Sequence, residues 1–156
     1  MGVIVEATSW DDPVGVKLRQ EQEAEIIRRY GIDLERGPKP SAADMDVFLL
    51  ARDAETAVSV GCGGLRRLDE TTYEIKRMYV TPAWRGRRIG EVLLRALEEA
   101  AVNRGAVRMR LEAGIQQPEA LRLYERCGYR RIDRFGHYVD CEESVCFERL
   151  LASSAA

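Results

Sequence analysis

Histidine is nearly absent from this chain of 156 residues, which contains a single one, His137. A lone loop histidine is more often solvated than functional, so we place His137 outside the candidate catalytic set. Cysteines are few, and no two have the C-x-x-C spacing of metal and redox motifs. Because zinc sites are built mainly from His and Cys, no metal site is expected. Buried, reduced thiols are expected instead at Cys62, Cys127, Cys141 and Cys146.

Long apolar runs are also missing. No apolar stretch approaches the roughly 18 residues that suggest a membrane-spanning helix, and the N-terminus lacks the basic and apolar pattern of an export signal. We therefore expect a cytoplasmic protein with no membrane partner. A strong excess of charge is absent too, because the formal net charge is −2, which gives no basis for a general nucleic-acid partner.

What the chain does contain indicates one globular domain, residues 1–156, large enough to bury a sizeable core. Apolar periodicity and turn residues predict strands over 3–8, 47–52, 58–68, 73–80, 107–112, 129–133 and 143–150. Helices are predicted from Pro13 to about residue 30, over 89–101, and from Pro118 to residue 127. Residues 37–41 are expected to form a loop and residues 152–156 to fray.

The stretch from Tyr73 to Gly90 combines a strand, a loop and the start of a helix. The loop has two glycines and three arginines immediately before the helix, at Arg85, Gly86, Arg87, Arg88 and Gly90. A helix N-terminus favours an anion, glycine allows the backbone to approach it closely, and arginine suits phosphate oxygens. The simpler alternative is a solvated turn with a capping charge cluster. The pattern favours a pyrophosphate site.

This loop resembles the phosphate loop of the Gcn5-related N-acetyltransferases (GNAT), which use acetyl-CoA. The family pattern, (Arg or Gln)-x-x-Gly-x-(Gly or Ala), is matched by residues 85–90 at its first and last positions. Arg88 stands where the family usually has Gly, a departure that matters if the position needs a positive φ. Residues 123–129 resemble the family's Leu-Tyr-Glu-x-x-Gly-(Phe or Tyr) segment, and the two motifs with their connecting elements cover residues 58–132.

The resemblance implies an α/β domain with a mixed, largely antiparallel sheet of about six to seven strands, a splayed parallel central pair and about four flanking helices. It also implies an N-acetyltransferase that moves the acetyl group of acetyl-CoA to a primary amine of a small molecule or protein, by direct attack in a ternary complex. The backbone of the central strand and the phosphate loop would hold acetyl-CoA. Its expected contacts are Met78, Tyr79, Val80, Arg85, Gly86, Arg87, Arg88, Ile89, Gly90, Glu91, Gln117 and Tyr124.

Two residues match catalytic positions of the family. Glu74 stands where some members carry the general base, and strand alternation would place it on the same face as Met78 and Val80. Tyr124 matches the usual general acid, which protonates the departing sulfur. The simpler interpretations are a core aromatic at Tyr124 and, at Glu74, a carboxylate paired with a neighbouring arginine: Arg66, Arg67 or Arg77.

The sequence is also compatible with two functions that involve no catalysis. The chain could bind acyl-CoA and report it to a partner, or bind nucleic acid through residues 84–88, which the acidic pI disfavours. The first helix carries Glu21, Gln22 and Glu25, which form either a solvated side, the favoured interpretation, or the wall of a pocket for a cationic amine. An exposed late strand edge makes a homodimer plausible.

Overall fold

The computed structural model describes residues 2–32 and 38–151. The strands are β1 (Val3–Ala7), β2 (Met45–Asp53), β3 (Ser59–Asp69), β4 (Thr72–Val80), β5 (Arg108–Gly114), β6 (Arg130–Ile132) and β7 (Ser144–Leu150). The helices are α1 (Pro13–Tyr30), α2 (Ile89–Val102) and α3 (Pro118–Arg126), and short 3-10 helices span Pro82–Trp84 and Gly136–Tyr138. Residue 37 of the predicted loop and residues 152–156 lie outside the described residues.

The strands form one sheet in the order β1-β2-β3-β4-β5-β7-β6. The central pair β4 and β5 is parallel, and the other neighbours are antiparallel. Thr72 to Ile75 pair with residues 108–111, beyond which β4 continues to Val80 and β5 to Gly114 as separate strands. A wedge therefore opens between their carboxyl ends. This sheet confirms the expected fold class, although the described residues contain three α-helices and not about four.

A β-bulge at Arg77 reverses the alternation of side chains along β4. Across this step β4 has one residue more than the paired stretch of β3, and Arg77 has a φ of 62°. As a result, Ile75 before the bulge and Met78 and Val80 after it contact the same apolar cluster, beside α2. Glu74, next to Ile75, points to the opposite face. The prediction that Glu74 shares a face with Met78 and Val80 is therefore wrong.

Helices cover both faces of this sheet. The larger apolar cluster joins α2 and α3 to one face, and a smaller cluster that includes Leu18 joins α1 to the other. Helix α1 begins as predicted, with Pro13 in its first turn and the Asp12 side chain accepting hydrogen bonds from two backbone N–H groups. Among the described residues, no helix is both long and apolar enough to cross a membrane.

Helix α2 carries one buried carboxylate. A glutamate on a helix usually faces water, but Glu98 is only 6% exposed. Its carboxylate pairs with Arg95 at 2.8 Å and Arg149 at 3.0 Å, and it accepts a hydrogen bond from the Tyr129 hydroxyl at 2.7 Å. Partners from β7 and the loop after α3 thus compensate the burial of this charge, and periodicity along α2 alone could not reveal them.

Candidate active site

Two cavities meet at the wedge between β4 and β5. The larger, of about 490 Å³, reaches the start of α2, and the smaller, of about 150 Å³, lies among α1, β4, β5 and the loop before β7. They form one continuous cleft because they share six lining residues: Gln22, Ile26, Met78, Gln117, Ala120 and Tyr124.

The phosphate loop and the first turn of α2 line the larger cavity. Gly86 and Arg88 have φ values of 82° and 64°, and this backbone path brings Ile89, Gly90 and Glu91 to the cavity. No side chain of the described residues caps the helix, so N–H groups of its first turn can bind an anion. Arg88 therefore adopts the left-handed conformation that glycine adopts more easily, and its side chain is 81% exposed.

The other two arginines of the loop make specific contacts. The Arg85 Nε atom donates to the Val80 carbonyl oxygen at 2.9 Å, and its Nη2 atom donates to the Glu25 carboxylate at 2.8 Å. Arg87 lies over the Trp84 indole, 4.5 Å from the ring centroid. Arg85 thus connects the phosphate loop to both β4 and α1.

Polar side chains of α1 form one wall of the cleft. The Gln22 Nε2 atom donates to the Met78 carbonyl oxygen at 2.8 Å, and its Oε1 atom is buried without a hydrogen-bond partner in the described part of the chain. Glu25 holds Arg85 and lines the larger cavity. The favoured interpretation of these residues as a solvated helix side is therefore wrong for Gln22 and Glu25. The carbonyls of Met78 and Val80, which belong to the strand backbone expected to hold acetyl-CoA, accept hydrogen bonds from Gln22 and Arg85.

Glu74 is buried beneath the smaller cavity and does not line it. The residue is 1% exposed, and its Oε1 atom pairs with Arg66 Nη2 at 3.1 Å. Its Oε2 atom accepts a 2.6 Å hydrogen bond from the Tyr138 hydroxyl, to which Lys76 Nζ donates at 2.9 Å. The pairing with a neighbouring arginine therefore exists, with Arg66, and Tyr138, which donates to Glu74, lines the cavity.

Tyr124 lines both cavities near the middle of the cleft. Its ring packs against Tyr129 and Phe147, with centroid distances of 5.9 and 6.0 Å. Burial, followed by the negative charge of Glu112, raises the pKa of Tyr124, so the phenol stays protonated at neutral pH. Tyr124 is thus a core aromatic that also presents a protonated hydroxyl group to the cleft.

Two further predicted residues, Gln117 and Tyr79, also line the cleft. Gln117 lines both cavities, and its Oε1 atom accepts a hydrogen bond from the Gly114 N–H at 3.0 Å. Tyr79 lines the larger cavity but is only 7% exposed, because its ring packs with Cys62 on the α1 face. The predicted site residues other than Glu74 and Arg87 therefore line the cleft.

Glu112 and Tyr138 line the smaller cavity, although no sequence motif singled them out. Glu112 accepts a hydrogen bond from the Ser144 hydroxyl at 2.6 Å. Its position could have been inferred, because it follows the paired part of a parallel strand and the carboxyl ends of such strands meet at one edge. Tyr138 could not, because a loop after β6 brings it to β4. The cavity also carries Glu23, which pairs with Arg77 at 3.3 Å.

Residues 9–129 match the sequence profile of the acetyltransferase (GNAT) family. The chain belongs to the GNAT family. The IAA acetyltransferase of Azospirillum brasilense is 37% identical over 121 residues, which cover 77% of this chain and 75% of that protein. These matches confirm the resemblance seen in the two motifs.

Solved structures of GNAT proteins share this fold. A Klebsiella pneumoniae protein assigned to the acyl-CoA N-acyltransferases has a TM-score of 0.82 and 31% identity, covering 96% of this chain and 98% of that one. A GNAT acetyltransferase from Elizabethkingia anophelis, solved with acetyl-CoA bound, has a TM-score of 0.71 and 19% identity, covering 96% and 99% of the two chains. Among the described residues of this GNAT protein, no group of three His, Cys, Asp or Glu side chains is placed to hold a metal ion.

Proposed function

We propose that this GNAT protein is an acetyl-CoA-dependent N-acetyltransferase that acts on a primary amine of a small molecule or protein, by direct attack in a ternary complex. The observation that carries the proposal is the continuous cleft through the β4–β5 wedge, with Tyr124 in both of its cavities. A cleft that reaches both faces of the sheet lets donor and acceptor enter separately and meet at one point. Residues 1–156 would act as one domain.

The larger cavity would hold acetyl-CoA. Its uncapped α2 N-terminus suits the pyrophosphate, and Arg88 adds a cation whose side chain is 81% exposed. Pantetheine would lie along β4, where it would compete with Gln22 and Arg85 for the carbonyls of Met78 and Val80. The proposed contacts are Met78, Tyr79, Val80, Arg85, Gly86, Arg87, Arg88, Ile89, Gly90, Glu91, Gln117 and Tyr124.

The smaller cavity would receive the amine. Its carboxylates at Glu112 and Glu143 favour a cation, whereas Glu23 is already paired with Arg77. The buried Gln22 Oε1 atom can accept a hydrogen bond from an N–H group. A buried acceptor without a partner is costly, so a substrate that supplies the missing donor is bound more tightly. These features support an amine, protonated in solution, as the acceptor.

Each proposed chemical role falls to a group at the cleft or next to it. Tyr124 would give its proton to the departing sulfur, and its raised pKa keeps that proton available. A backbone N–H near Met78 would stabilise the developing oxyanion. Glu74 would take the proton of the amine. Glu112 is a second candidate base because it lines the cleft directly.

The deciding experiment measures CoA release and acetylated product with 1,4-diaminobutane, L-lysine and a peptide with a free amino terminus. We expect transfer to at least one of these amines. Glu74→Gln should lower kcat/KM by roughly 100-fold, most at low pH where the amine is protonated, because positioned acid–base groups typically contribute such factors. If Glu112→Gln lowers kcat/KM by a similar factor and Glu74→Gln does not, the general base is Glu112 on β5. Tight acetyl-CoA binding without transfer would favour a non-catalytic acyl-CoA module. The cytoplasmic location and the homodimer stay predictions.

A further inference from the structure

The proposed base Glu74 is separated from the cleft by a tyrosine. Glu74 is 1% exposed and lies beneath the smaller cavity, whereas Tyr138 lines that cavity and donates to Glu74 Oε2 at 2.6 Å. A hydrogen bond of this length between a phenol and a carboxylate is at the strong end of the range. The Tyr138 oxygen is therefore the point at which a proton from the cavity can reach Glu74.

Tyr138 is held in this position from several sides. Its oxygen accepts a hydrogen bond from Lys76 Nζ at 2.9 Å, and the side chain is 5% exposed. Phe135 packs against the ring edge-to-face at 5.4 Å. The Lys76 ammonium also stabilises negative charge on the phenol oxygen, so this oxygen can release one proton while it receives another. A fixed ring and two charged neighbours are the arrangement that proton transfer through a hydroxyl requires.

We propose that Tyr138 relays the proton of the acceptor amine to Glu74. The step rests on the proposed function. The N–H bond of the ammonium breaks as a new O–H bond forms on Tyr138, and the former Tyr138 O–H bond breaks as an O–H bond forms on Glu74 Oε2. The ammonium becomes a neutral amine, the carboxylate becomes a carboxylic acid, and the tyrosine is unchanged. No further reactant is needed.

The relay accounts for three features that a structural role leaves unrelated. Glu74 can remain buried and paired with Arg66 at 3.1 Å and still exchange protons with the cavity. The hydrogen-bond direction is fixed, because Lys76 can only donate and Tyr138 then donates to Glu74. Tyr138 also lines the same cavity as Glu112 and Gln22.

The chain offers a matched control on the same strand as Glu74. Tyr73 is 1% exposed, and its hydroxyl donates to the Asp46 carboxylate at 2.8 Å. Tyr73 lines neither part of the cleft. Tyr73→Phe and Tyr138→Phe therefore each remove one phenol–carboxylate hydrogen bond and keep the ring. Tyr138→Phe also removes the acceptor of Lys76 Nζ, and it alone would break the relay.

The test measures kcat and KM for wild type, Y138F, Y73F, E74Q and the Y138F/E74Q double variant, with the three amines named above. We expect Y138F to lower kcat about 100-fold with the KM for acetyl-CoA unchanged, and Y73F to keep wild-type kinetics. Because both residues act in one step, the double variant should be no slower than the slower single variant. Thermal unfolding of Y138F and Y73F measures the structural loss of each, which should be larger in Y138F because Lys76 also loses its acceptor, and kcat is measured at a temperature where both variants are folded.

Two outcomes overturn the relay while leaving the transferase intact: wild-type kcat in Y138F, or losses in Y138F and E74Q that multiply in the double variant. Equal losses of kcat in Y73F and Y138F would also overturn it, since they would reflect a damaged strand. Wild-type protein that acetylates none of the three amines would instead overturn the proposed function, and the relay with it.

Discussion

Replacing Arg88 by glycine should leave the stability unchanged or increase it, which is unusual for a glycine substitution. Arg88 has a φ of 64° and ψ of 18°, a left-handed conformation that costs a non-glycine residue roughly 1–2 kcal/mol. Glycine removes that cost but adds roughly 0.4–1 kcal/mol of unfolded-chain entropy. The exposed pair of Arg88 with Glu91, at 3.9 Å, is worth about 0.3 kcal/mol. The expected net change is therefore between zero and about 1 kcal/mol of added stability.

Arg87→Gly is the matched control, because Arg87 has no positive φ. It should destabilise by roughly 1–2 kcal/mol through chain entropy and the lost contact with Trp84. The two variants should differ by about 1–3 kcal/mol, which in a protein of this size corresponds to melting temperatures about 2–12 °C apart, measured by circular dichroism. If Arg88→Gly melts as low as Arg87→Gly, the left-handed conformation at residue 88 is wrong. Arg88→Gly and Arg87→Gly each remove one arginine of the phosphate loop. The CoA affinity of each variant should therefore be compared with that of the other variant.

The remaining predictions concern the site and its buried groups. Arg85→Ala with Arg87→Ala should weaken CoA binding by roughly 2–4 kcal/mol in calorimetry, with unchanged affinity contradicting the phosphate site. Tyr124→Phe should lower kcat on the order of 10- to 1,000-fold at constant acetyl-CoA affinity, and a wild-type rate in a stable variant would leave Tyr124 as a core residue only. Burial raises the pKa of Cys62 to about 12 from 9.0, and that of Tyr124 in the same direction. Such groups stabilise the fold below their unfolded pKa values and lose this contribution as pH rises toward the folded ones, so the melting temperature should fall above about pH 9, less steeply in Cys62→Ala. An equal slope in Cys62→Ala would contradict the burial of that thiol.

Much of the fold could be predicted because it rests on local patterns. The order of strands and helices, the Pro13 start of α1 and the splayed β4–β5 pair all follow from periodicity, turn residues and the two family motifs. The phosphate loop was predicted for the same reason. Arg88 stands where the family usually has Gly, and this position does have a positive φ.

What could not be predicted depends on long-range packing. The residue with positive φ at the bulge is Arg77 and not a glycine, so the sequence of β4 did not indicate the bulge. As a result, Glu74 was placed on the wrong face. Two of the three partners of Glu98, Tyr129 and Arg149, come from other elements, and those of Glu74 include a tyrosine 64 residues along the chain. Apolar periodicity indicates which side of a helix or strand faces the core. It carries no information about which distant side chain neutralises a buried charge.

The bulge at Arg77 also affects which substitutions in β4 the fold can accept. Before Arg77, the side chains of β4 that face α1 include Glu74, below the smaller cavity, and after it Met78 and Val80 face the α2 side. In the proposed transfer, one short strand would thus serve two substrates through opposite faces. Substitutions on the α1 face would alter which acceptor fits while the backbone that meets the donor stays the same. Acceptor choice would then change without loss of donor binding, whereas deletion of a single residue at the bulge would disturb both at once.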